Sequence, residues 1–125
     1  MLYFKEKSLL PVLCIYIVLI CNCDLFAQDN NIDNTLNVKT QLAKDLIYSD
    51  AKRSNQVADT LIRLSQKHNK FIFEAVGWNI KGIIKHFTSS PDTALRYFGI
   101  SEQLGIKAND KLTVAKAKQN KNLPL

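Results

Sequence analysis

Phe71 to Gly105 reads FIFEAVGWNIKGIIKHFTSSPDTALRYFGISEQLG, and the fold turns on this stretch. Ile72, Val76, Ile80, Ile83 and Phe87 recur at intervals of three and four, the spacing of one helix face, and they predict a helix over 71–87 that is the best buried of the chain. The polar break TSSPD ends it. Ser90 can accept from the first free N–H groups of a second helix, Pro91 occupies a first position where its missing N–H costs nothing, and Asp92 faces the positive end of the dipole. Gly105 suits the left-handed residue that follows a helix end. Two helices joined by so short a turn must run antiparallel, as a hairpin.

Working outward, a helix is predicted from about Asn34 to Tyr48, with Asp33 as its cap and Leu42, Leu46 and Ile47 on one face. After the polar turn SDAKR comes another, from about Asn55 to His68, with Ser54 as N-cap and a stripe of Val57, Ala58, Leu61, Ile62 and Ser65. His68 near its end is explained as a favourable charge at a C-terminus. A fifth helix begins near Asp110 and carries Leu112, Val114 and Ala115 before dissolving into KAKQNKNLPL. No segment shows the sustained alternation of a half-buried strand, so the chain reads as all-α.

The segments repeat. A shift of 36 residues places Ser54 on Ser90, Ala58 on Ala94, Leu61 on Tyr97, Ile62 on Phe98, Leu64 on Ile100 and Ser65 on Ser101. It also places Leu36, Leu42, Ile47 and Ala51 on Ile72, Trp78, Ile83 and Phe87. Residues 36–108 are thus two copies of one hairpin, each needing a neighbour to bury its face. In the second copy, Trp78, Gly82, Ala94, Phe98 and Ser101 follow the spacing of the tetratricopeptide repeat, which this stretch resembles. The physics of that pattern is a glycine that admits a close approach, small residues facing the next helix, and an aromatic filling the gap.

The resemblance implies antiparallel helical hairpins stacked as a short tetratricopeptide-like α-solenoid, a scaffold that binds a peptide or protein on its concave face. Carried over to this sequence, it puts Val76, Asn79, Ile83, His86 and Phe87 on that face. Asn79 and His86 would hydrogen-bond a peptide, and the apolar members would supply contact area. Against this, Ile83, Phe87 and Trp78 have a competing role as core. Two hairpins are fewer than repeat arrays generally need, so the chain reads either as a small exported protein whose last helix is a frayed cap or as the N-terminal part of a longer protein, similar to the exported sensing region of bacterial kinases or regulators.

Met1 to Ala27 is set apart from the fold. Lys5 and Lys7 precede the apolar run LLPVLCIYIVLIC, Leu9 to Cys21, and a cleavage point follows Ala27, the layout of a secretory signal. Its 13 residues reach only about 20 Å as a helix, short of a bilayer core. Cys14, Cys21 and Cys23 all fall before the cut, so the exported chain has no thiol, and a lipid anchor at Cys21 or Cys23 is the competing outcome. Residues 28–35 read as a polar leader, and 109–125 as the start of a further helix with a basic tail.

Charged residues make up 22% of the 125, with 17 Lys and Arg against 11 Asp and Glu, a net +6 spread along the chain. That composition belongs to a folded protein and excludes disorder. The only histidines, His68 and His86, have no ligand or nucleophile partner at a meaningful spacing, so no enzyme, metal or cofactor is expected. The alternative function is a basic helical protein contacting an anionic membrane or nucleic acid through Lys111, Lys116, Lys118 and Lys121. That tail has no aromatic for base stacking; no nucleic-acid partner is expected, and membrane contact is confined to the leader before cleavage.

Overall fold

The structure, a computed structural model, describes residues 2–88 and 90–124, with side chains described for 11–20, 22, 28–88 and 90–124. The described residues form helices and no strand: α1 (Leu2–Leu46), α2 (Ala51–Lys67), α3 (Phe71–Phe87), α4 (Pro91–Lys107) and α5 (Lys111–Lys121). Residues 1–35 and 36–125 are separate compact units, with the boundary inside α1. In the first unit Val12, Leu13 and the residues from Ile15 to Ile20 are all more than half exposed. Among the described residues no helix is long and apolar enough to cross a membrane. The side chains of Cys21, Cys23 and Ala27, on which the cleavage and lipidation expectations rest, lie outside the described residues.

Residues 28–35 are helical, so the helix predicted from about Asn34 begins earlier. They contain neither Gly nor Pro, and extending an existing helix needs no new nucleus. Asp33 accordingly sits inside α1 and is not its N-cap.

In the second unit α2 packs on α3, α3 on α4, and α4 on α5, while α3 also meets α5. The turns between them are short, so neighbours are antiparallel hairpins. Ala43 and Ile47 from the first helical layer, Ala58 from α2, and Ile80 and Ile84 from α3 form the core cluster, flanked by Ala51, Val57, Val76 and Ile83.

Helix ends explain the register. Asp50 caps α2 by accepting from the Arg53 N–H at 3.0 Å. This places Ser54 inside the helix, fully buried, with its hydroxyl donating to the Ala43 carbonyl at 2.7 Å, so it is not the N-cap. Asn69 and Asn109 hold positive φ values of 55° and 53° after α2 and α4. Behind them Lys70 N–H bonds Ser65 O and Asp110 N–H bonds Gly105 O, both at 2.9 Å, the six-to-one closure of a Schellman turn. Gly105 is therefore not the left-handed residue. It is buried inside α4, where a Cβ would stand 3.0 Å from Val114 Cγ2. Ser90 does occupy the N-cap of α4, but its side chain makes no capping bond.

These turns also correct the repeat length. α2 and α4 have 17 residues each and begin at Ala51 and Pro91, and α3 and α5 begin at Phe71 and Lys111, so the hairpin recurs every 40 residues, not 36.

Burial departs from apolar size. Ile80 alone of the predicted α3 stripe is buried; Ile72 and Phe87 are exposed and Val76 and Ile83 half-buried. The buried side instead carries Glu74, Ala75, Gly77, Gly82 and Ile84. Small residues there let helices close together: a Cβ on Gly82 would stand 2.6 Å from Phe98 Cδ1, and one on Gly77 2.6 Å from Ile62 Cγ1. Ala94, Phe98 and Ser101 are buried as the spacing implied, with Ser101 Oγ donating to Ala75 O at 2.7 Å. Among the described residues of α1, the buried ones are Leu36 and Ala43, with Ile47 just beyond; Leu42 is exposed. In α5 they are Thr113 and Ala117 rather than Leu112 and Ala115, and the helix persists to Lys121.

Candidate functional site

Val76, Asn79, Ile83, His86 and Phe87 fall within about a third of the circumference of α3. They do not form one open surface. Val76 and Ile83 lean on the core cluster formed by Ala43, Ile47, Ile80 and Ile84. Asn79 is engaged across the layer, its Oδ1 accepting from Asn120 Nδ2 of α5 at 2.8 Å.

His86 and Phe87 remain. Their rings meet edge-on at 5.4 Å, and on the other side of Phe87 lies Tyr48, whose ring centroid is 5.6 Å away at an interplanar angle of 71°. Phe87 is 63% exposed and Tyr48 79%. Edge-to-face pairs of this kind are favourable in themselves, yet both rings leave most of their apolar surface in water. Tyr48 was missed by sequence reasoning, which treated it as the end of a helix. A usable signal was present: each hairpin's first helix runs into its polar turn through an aromatic, Tyr48 before SDA and Phe87 before TSSPD.

The turn that follows α3 supports the cluster. Thr88 Oγ1 donates to Ile84 O at 2.8 Å, closing the helix end directly behind Phe87. On its far side His86 borders a cleft of about 220 Å³ shared with Pro91, Leu95, Phe98 and Leu123. A ligand seated on the two aromatics would meet an imidazole able to donate or accept a hydrogen bond.

Trp78 belongs to the interior of the second hairpin: its ring lies 5.1 Å from that of Tyr97, and Lys81 Nζ is 5.7 Å from both. Lys81 also pairs with Asp59 of α2. Among the described residues no three His, Cys, Asp or Glu side chains gather as a metal site would need. No family model, curated protein or solved structure matches the chain.

Proposed function

We propose that the chain is a non-enzymatic, exported helical-repeat scaffold that binds a peptide or another protein beside the C-terminal end of α3. The observation that carries this reading is the exposed pair of Tyr48 and Phe87 with His86 against it. Large exposed aromatics are the side chains that dominate protein interfaces, because they lose little conformational freedom on binding. The hairpins are taken as divergent relatives of the tetratricopeptide repeat, with a 40-residue unit against the roughly 34 of that family. Export to the periplasm or the cell exterior is supported by the exposed apolar run from Ile15 to Ile20, which contributes nothing to a core.

Selection from a displayed random-peptide library against the full chain tests the reading. Selected peptides are expected to lose at least about tenfold in affinity on Phe87→Ala or Tyr48→Ala, with the melting temperature little changed because both rings are exposed. Selected peptides that bind both variants as tightly as the parent would overturn it.

A further inference from the structure

The internal repeat places a covered and an uncovered copy of one helix face side by side in sequence. On α3, the stripe of Phe71, Ala75, Trp78 and Gly82 is covered by α4: Lys107 Nζ lies 4.4 Å from the Phe71 ring, Ser101 Oγ bonds Ala75 O at 2.7 Å, Tyr97 packs on Trp78 and Phe98 on Gly82. Forty residues on, the matching stripe of α5 is Lys111, Ala115, Lys118 and Asn122, and all four are exposed.

This face is not a polar cap. On the covered copy Gln66 Nε2 donates to Glu74 Oε1 at 3.0 Å, and the matching pair is the apolar Ile106 and Val114. With Gly105 and Ala115 they floor a cleft of about 360 Å³, and Ile106 is 54% exposed in it. Lys111 and Lys118 stand at its rim, where the covered copy has Phe71 and Trp78. Among the described residues that line it, the one carboxylate, Asp110, accepts from Thr113 Oγ1 at 2.5 Å. An apolar pair has therefore replaced a polar one on the floor, while lysines have replaced the two aromatics of the flanks.

We propose that this face of α5 docks an amphipathic helix of another polypeptide, running antiparallel to α5, with an apolar seam and carboxylates aimed at Lys111 and Lys118. The way α4 sits on α3 sets the spacing. The incoming helix presents an acidic residue where Tyr97 lies over Trp78, a small residue four positions later where Ser101 lies on Ala75, and a second acidic residue six beyond that, where Lys107 reaches Phe71. Charge complementarity and the apolar floor together select such a helix over a basic or wholly polar one. The surface is separate from the Tyr48–Phe87 site.

The probe is a synthetic copy of residues 91–107 carrying Tyr97→Glu and Lys107→Glu. It is held helical by a lactam between Asp92 and position 96 after Arg96→Lys, with helicity verified by circular dichroism. Binding to the full chain is read by fluorescence anisotropy, against the same bridged peptide without the two Glu changes. The acidic peptide is expected to bind at least about tenfold more tightly, with the advantage shrinking as salt rises. Ala115→Arg, on an exposed helical position that leaves the fold intact, abolishes binding; Phe87→Ala leaves it unchanged. The proposal is overturned if the helical acidic peptide shows no advantage, if Ala115→Arg binds it undiminished, or if sedimentation shows the chain self-associating through this face, which would make the occupant a second copy.

Discussion

Gly82 and Gly99 lie in adjoining helices of one hairpin and make opposite demands. At Gly82 a methyl group would press into the Phe98 ring, which is itself buried and has nowhere to retreat, whereas at Gly99 nothing lies within 4 Å of the added carbon. Gly82→Ala is therefore expected to destabilise by about 1–3 kcal/mol through overpacking. Gly99→Ala is expected to stabilise by about 0.5–1 kcal/mol, because Gly in a helix interior carries an entropic cost that Ala does not. Urea unfolding of the two variants checks both signs, and equal shifts in one direction would refute the packing described. The close approach at Gly82 could be anticipated from its spacing to Ala94 and Phe98. The corresponding role of Gly105 could not: a Gly near a helix end suggests a left-handed turn, and only the asparagine four residues later, with its side chain able to tolerate that conformation, shows where the turn is.

Among the elements, α3 and α4 were legible because Pro and a polar cluster mark the ends that matter, and α3 was delimited at the residues observed. The period was misread for a geometric reason. A 36-residue shift is ten whole helical turns and so carries every residue onto the same face, and the true 40-residue shift rotates the pattern by only about 40°. Apolar periodicity cannot separate registers one turn apart; the paired Asn69 and Asn109 turns can. The same blindness affected the candidate site, since periodicity scores Ile72 and Phe87 as core and is silent on Gly and Ala, which carry the tight contacts. Beside its packing on α4, α5 is also tied to it by charge. Lys121 hydrogen-bonds Glu102 and lowers its pKa, opposed by desolvation and aided by the charges of Lys121 and Lys118. A carboxyl depressed in the folded state stabilises it above the carboxyl's ordinary pKa, and this contribution is lost as pH falls through the depressed folded value. The melting temperature of the parent should accordingly drop more steeply than that of Glu102→Gln as pH is lowered from neutral through the carboxylate range. Parallel curves would show that the pair contributes nothing to stability.

Across residues 36–125 stability is unevenly held. α3 packs against α2, α4 and α5 and supplies Ile80 and Ile84 to the cluster with Ala43 and Ile47, whereas α5 rests on α4 and α3 alone and buries only Thr113 and Ala117. With fewer packing neighbours and fewer buried residues, α5 opens at a lower free energy than α3. Amide hydrogen exchange should find the slowest amides in α3 and a distinctly faster set in α5. Phe98→Ala, which removes the ring wedged between α3 and α4 at a cost of about 3–5 kcal/mol, should accelerate exchange in both of those helices. Addition of the acidic helical peptide should slow exchange in α5 without altering α3 to the same extent, because the ligand covers the exposed stripe from Lys111 to Asn122. If α5 were already as protected as α3 in the free chain, the uncovered face would not be a weak end, and the mechanical reason for a helix to dock there would be gone.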